Sequence, residues 1–250
     1  MKELAGIYPE TQAQQETAEK WHMPRLPQIR IPRFGLHTPG SANRDTVEAY
    51  IHDRFASAHN AEVTHFLPNI ISLRCGGEYS AAVGLAPANS GKLFAEQYLT
   101  APIEQVISEK LEQPIARNQI VEIGNLVSTW KGSSLLLFIV IGEVMERLGY
   151  HYVMFTGTRE VKALLARLHY SPIVLADANP AVLPDGGASW GSYYDNQPQV
   201  MFGDNRPAMN AARKNPMYRA TVLAINSAIE KICAEFRAHN NINVKDAINE

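Results

Sequence analysis

Cysteine is scarce: Cys75 and Cys233 are the only two in 250 residues. Two cysteines so far apart make no disulfide framework, and without a CxxC or a Cys/His cluster no zinc site is spelled out. The implied compartment is reducing and cytoplasmic. A surplus of positive charge is also missing. Lysine plus arginine number 23 against 25 acids, a net charge of −2, whereas a nucleic-acid binder carries a strong basic excess. Long apolar runs are absent too. The most apolar stretch, residues 135–141, falls far short of the roughly 20 residues of a membrane-spanning helix. Residues 1–20 have no apolar stretch of the kind a secretory signal needs. Neither GxxxxGK[ST] nor GxGxxG occurs, which sets aside nucleoside-triphosphate and dinucleotide loops. GxSxG occurs once, as Gly187-Ala188-Ser189-Trp190-Gly191, but in a loop-like stretch rather than between a strand and a helix, so a hydrolase elbow has no support.

What is present is a core-forming chain, 46% hydrophobic and 19% charged. Its first 43 residues hold Pro9, Pro24, Pro27, Pro32 and Pro39, five of the 15 prolines, and read as an N-terminal extension, because proline removes a backbone donor. Ile29, Ile31 and Phe34 would let part of it dock as an extended arm. Residues 44–205 form the main domain and 206–250 a helical extension. From Asp45, the three- and four-residue spacing of Val47, Tyr50, Ile51 and Phe55 predicts a helix. NIISLRC and EYSAAVGLA flank Gly76-Gly77, a hairpin signature. LFAEQYL reads as a strand or strand end, and Pro102 opens a helix to about Leu111. QIVEIGNLVST, HYVMFTGT, PIVLA and QVMFGD read as strands. Helices are expected after Trp130, over 159–169 and from Met217 onward. A meander followed by βαβ-like crossovers argues an α+β fold around one central mixed sheet flanked by helices.

The strand–turn–helix at 119–149 carries the clearest chemical signal. A helix starting at Ser133 or Ser134 aims unpaired N–H groups and the positive dipole end at its entrance, Gly132 permits close approach, and Lys131 adds charge. That suits a phosphate or pyrophosphate, and equally a serine-capped turn. Glu122, in a buried-looking strand, reads as a general base with a raised pKa, a structural carboxylate or an anchor for a substrate amine. Glu96 is a second candidate acid–base group, or the partner of a nearby arginine. Asn125 either meets substrate or fixes a strand bulge. Trp190, Tyr193, Tyr194 and Asp195 share a polar-aromatic loop that either faces substrate or packs the sheet edge. The histidines read as packing or surface residues, and no metal site is legible.

The segments IVEIGNLVST, WKGSS, LLLFIVIGEVMERLG, HYVMFTGT and REVKALLARLHY resemble the core of the GNAT acyltransferases. There an R/Q-x-x-G-x-G/A loop binds the donor's pantetheine pyrophosphate, and Lys131-Gly132-Ser133-Ser134 is similar. They also resemble acyl-homoserine-lactone synthases, although the Glu-x-Ser-Arg of those enzymes stands here as Glu122-Ile123-Gly124-Asn125, without the arginine. LFAEQYLTAPIEQVIS, RNQIVEIGNLVST, GYHYVMFTGTREVKALLARL and WGSYYDNQPQVMFGD resemble the thermostable hemolysin family over about 45–205. These resemblances imply a GNAT-like, autoinducer-synthase-like fold and an N-acyltransferase. Its donor would be acyl-CoA or acyl carrier protein as co-substrate, with no tightly bound cofactor, and its acceptor a small amine such as an amino acid. A backbone N–H of Leu126 or Val127 would polarise the thioester carbonyl, Glu122 would act as base, and Tyr194 would protonate the leaving thiolate. A homodimer is left open. The rival readings are a membrane-active cytolysin and a non-catalytic GNAT-like binding protein.

Overall fold

In a computed structural model, which describes residues 31–129, 131–167 and 170–240, the chain folds around a seven-stranded sheet of order β1-β2-β3-β4-β5-β7-β6. The strands are β1 (Pro32–His37), β2 (Asn69–Cys75), β3 (Glu78–Pro87), β4 (Ile120–Ser128), β5 (Tyr152–Gly157), β6 (Ile173–Asp177) and β7 (Gln199–Asp204). Around them lie α1 (Arg44–His59), α2 (Ile103–Leu111), α3 (Lys131–Arg147), α4 (Arg159–Arg167), α5 (Asn205–Ala212) and α6 (Pro216–Asn240). Gly76 and Gly77, at φ 68° and 93°, make the β2–β3 hairpin turn that their lack of a Cβ permits. β4 and β5 run parallel, joined by α3, and every other pairing among the described residues is antiparallel. This is the mixed α+β sheet flanked by helices that the sequence predicts.

Strand alternation sorts the core. Val121, Val153, Phe155 and Met201 point to the face covered by α3 and α6, whereas Ile120, Met154 and Phe202 face α2. A smaller cluster seats Val47 and Ile51 of α1 against Ile70 and Val127.

Three sequence expectations change. Residues 32–37, placed in a separate extension, form edge strand β1 and pair with β2 from Pro32↔Cys75 to His37↔Ile70. Pro32 fits because the first residue of an edge strand loses no ladder bond. LFAEQYL is a 3-10 turn, Phe94–Tyr98, not strand, because its amides are taken up by carboxylates rather than by a neighbouring strand. The C-terminal helices are part of the fold rather than an appendage. Ile229, Ile232, Cys233 and Phe236 of α6 are at most 2% exposed, and each such side chain contributes roughly 1.5–3 kcal/mol. Tyr218 of α6 donates its hydroxyl to the buried Glu143 of α3 at 2.9 Å. Residues 1–30, the earlier part of that extension, lie outside the described residues.

Candidate active site

The β4–β5 pairing stops at Ile123↔Phe155, while β4 continues to Ser128 and β5 to Gly157. A bulge helps part them. β3 pairs Ala82 with Val127 and then Gly84 with Gly124, leaving Asn125 and Leu126 as the irregular stretch, and Asn125 takes φ 51°. Asn125 is among the residues that tolerate this left-handed conformation. Its Oδ1 accepts the Leu67 N–H at 2.9 Å and its Nδ2 donates to the His65 carbonyl at 3.0 Å. Of the two readings of Asn125, fixing the bulge is thus satisfied. Gly84 and Gly124 make room for the incoming loop, since a Cβ on either would come within 2.9 Å of Leu67.

At this parting lies a cavity of about 860 Å³ with walls from both faces of the sheet. On one side stand Glu122, Phe94, Tyr98, His65, Trp190, Tyr193 and Tyr194. On the other are Ile141 and Met145 of α3, Val153 and Phe155 of β5, and Met209 and Tyr218 from the C-terminal helices.

Glu122 is 3% exposed. Its two oxygens accept the N–H groups of Phe94 and Ala95 at 2.8 and 3.0 Å, the first amides of the 3-10 turn. Burial pushes its carboxyl up; the two amides oppose that and the charge of Glu96 assists it, leaving a pKa of about 7. A carboxyl so placed exchanges a proton near neutral pH, and each oxygen keeps a second lone pair for substrate.

Glu96 belongs elsewhere. It accepts Leu93 N–H at 2.8 Å and Ile103 N–H at 2.9 Å, and Arg117 grips it with both terminal nitrogens at 2.7 and 2.9 Å. Burial pushes this carboxyl up, but the guanidinium and the two amides outweigh it and hold the group below its ordinary value. It does not line the cavity, so the expectation that Glu96 does proton chemistry gives way to the alternative of an arginine-paired acid.

The 190–194 loop meets the cavity through Trp190, Tyr193 and Tyr194. Trp190 and Tyr193 stand 5.4 Å apart between centroids, and Phe94 and Phe55 lie 6.0 and 5.9 Å from Trp190. The hydroxyls of Tyr98 and Tyr194 are 2.6 Å apart. Burial pushes both phenols above their ordinary value, so each remains a neutral donor. Asp195 is exposed and lies outside the cavity wall, which removes it from the substrate-facing set; the loop turns it outward one residue after Tyr194.

At the head of α3 the helix begins at Lys131, earlier than expected, so Gly132, Ser133 and Ser134 form its first turn rather than a loop. Ser133 is fully buried and Ser134 shares a 2.5 Å hydrogen bond with Ser128, so neither hydroxyl faces the cavity. The backbone amides of that turn are what remains for an anion. The Lys131 side chain lies outside what the structure describes. Val127 is turned away, its side chain packed under α1, while Leu126 lines the cavity.

Tyr98 and His65 were not legible as site residues. His65 stacks on Phe94 at 4.7 Å, and burial lowers its pKa, keeping the ring neutral. Residues 60–68 carry no periodic pattern that would announce this. Tyr98 lay in a segment read as strand. No group of His, Cys, Asp and Glu able to hold a metal occurs among the described residues.

The sequence model of the thermostable hemolysin family matches residues 37–209. No curated protein matches the chain. Among solved structures, it is similar to the CoA-dependent acyl-homoserine lactone synthase MesI at 14% identity, over 84% of this chain and 96% of that one, with a TM-score of 0.42. It is similar to FeeM, an N-acyl amino acid synthase from uncultured soil microbes, at 9% identity over 76% and 98%, TM-score 0.48. An acyl-CoA N-acyltransferase from Pseudomonas aeruginosa is similar at 10% identity over 69% and 99%, TM-score 0.40.

Proposed function

The chain belongs to the thermostable hemolysin family, and we propose that it is an N-acyltransferase moving an acyl group from a thioester donor to the nitrogen of a small amine. One observation carries this reading: a buried carboxyl with a pKa of about 7 stands in the wall of a cavity at the parting of two parallel strands.

The donor, acyl-CoA or acyl carrier protein, enters the parting with its phosphates at the first-turn amides of α3, where helix N-termini attract anions. Its acyl chain runs along the apolar wall made by Leu135, Phe138, Ile139 and Met145. A backbone N–H of the irregular 124–126 stretch polarises the thioester carbonyl. Glu122 takes the proton of the amine as nitrogen attacks the carbonyl carbon. The C–S bond then breaks, the electron pair leaves on sulfur, and Tyr194 protonates the thiolate and recovers its own proton from solvent. The products are an amide and a free thiol, with no covalent enzyme intermediate, formed in the cytoplasm where such donors are made.

Free-thiol release tests this, using a panel of acyl-CoAs and acyl carrier proteins with and without amines. Acceptor-dependent release is expected, and Glu122→Gln should lower kcat/KM by about 10²–10⁴. Donor stabilisation of the fold without any release would leave the non-catalytic reading. Liposome leakage caused by the protein alone would favour the cytolysin, for which no helix among the described residues is long and apolar enough to cross a membrane.

A further inference from the structure

Which amine the site takes is written in the charges around Glu122. Among the described residues, neither lysine nor arginine lines the cavity, and Glu122 is the one carboxylate there. The remaining polar groups on its side are the Tyr98–Tyr194 pair, His65 held neutral by burial, His59 edge-on to Tyr193 at 5.4 Å, Asn125 spent on the loop, and the side chains of Thr156, Thr158 and Asn196. Aromatic rings complete the wall. Trp190 lies within 6.0 Å of Phe55, Phe94 and Tyr193, and Tyr193 stands 5.4 Å from Tyr194.

An amino-acid acceptor would bring its own carboxylate into this chamber. Buried without a lysine or arginine, that group loses its hydration with no fixed positive charge to replace it, and it faces the like charge of ionised Glu122. A cation meets the opposite conditions. Aromatic faces attract it, Trp most strongly, and the attraction grows when water is excluded. We propose, building on the acyl-transfer reading, that the acceptor is a cationic amine without a carboxylate, a diamine or other decarboxylated amine, held between Glu122 and the rings of Phe94, Trp190 and Tyr193. One nitrogen, neutral at the moment of attack, gives its proton to Glu122 as the amide forms. The other stays protonated over the rings. This replaces the amino acid, the example acceptor suggested by the sequence, with the product of its decarboxylation.

Matched pairs that differ only in the carboxylate isolate the claim: cadaverine against lysine and agmatine against arginine, each with the same acyl donor. The decarboxylated member should lead in kcat/KM by at least about tenfold, the scale of one desolvated cation–π contact together with relief of an unpaired buried charge. Equal or better use of the amino acids overturns the proposal. Trp190→Phe and Trp190→Leu should raise the KM for cadaverine several-fold with a smaller change in kcat. An unmoved KM in both variants removes the rings from recognition and overturns that part.

If no donor yields thiol with any acceptor, calorimetric binding of the same pairs to the full-length protein decides separately. Tighter binding of the decarboxylated members keeps this inference while the acyl-transfer reading falls. Equal binding, or none, ends both.

Discussion

Glu96 and Glu122 form a natural controlled comparison. Both are under 10% exposed, both accept two main-chain amides, and both help fix the 3-10 turn 94–98. Yet one is held below its ordinary pKa and the other is pushed up to about 7. Amide donors alone therefore do not decide whether a buried carboxyl here stays ionised. The cation and the depth of burial do: Arg117 closes on Glu96 with two nitrogens, whereas Glu122 lies deeper and no guanidinium or ammonium hydrogen-bonds it among the described residues. The paired acid is a fastener, and the unpaired one keeps a proton that can move.

The most forceful way to break the comparison is to take the cation away. Arg117→Met keeps the apolar stem but leaves Glu96 buried and unpaired, which should cost about 3–5 kcal/mol of stability in urea unfolding. The sign with pH follows from the depressed pKa. Glu96 contributes stability above the ordinary carboxylate range and loses it as pH falls through its folded value, so the gap between variant and wild type should close in acid. A gap that persists unchanged at low pH would mean that Arg117 acts through its bonds to the Ala88 and Gly91 carbonyls instead.

Glu122 should show the opposite slope. Its folded pKa lies above the unfolded value, so its contribution is fully present below about 4.5 and is lost as pH rises through about 7. Glu122→Gln removes that titration. The variant should therefore gain on wild type by up to about 3 kcal/mol between those two pH values, read as the difference of their unfolding midpoints across the range. Parallel curves would show that Glu122 titrates alike in the folded and unfolded chain, and the two acids would no longer differ in kind.

Sequence pattern exposed one member of this pair much better than the other. Glu122 sits among Ile120, Val121 and Ile123 in a β-branched strand whose near-continuous apolar run marks burial on both faces, so its burial was readable from local pattern. The fate of Glu96 depends on Arg117, 21 residues away beyond α2, a distance at which no local spacing speaks. β2, β3, α2, β4, β5 and α4 were legible for the same local reason: periodicity and turn glycines act over a few residues. β1 was hidden because the prolines around it signal irregular structure, while an edge strand needs only the one ladder that Pro32 leaves intact. The integration of α6 was hidden because a helix stripe shows that something is buried, and not against what. His65 and Tyr98 reach the site through a loop and a 3-10 turn, where side-chain direction is set by tertiary contacts.

The finest test leaves both cavity and core in place and changes one distant charge. Glu96 raises the pKa of Glu122 through its own negative charge. Glu96→Gln removes that charge while its amide oxygen can still accept from the backbone, and it leaves Arg117 less neutralised, with Glu104 as its remaining acid. Both changes favour ionised Glu122, so the acidic limb of the kcat/KM–pH profile should move to lower pH, by less than about one unit. The plateau rate should hold, because the amides of Phe94 and Ala95 still point at Glu122. A limb that moved upward would carry a different lesson. It would mean that Glu96 acts chiefly by positioning those two amides, whose loss raises the pKa, and that the two acids communicate through the 3-10 turn rather than through charge.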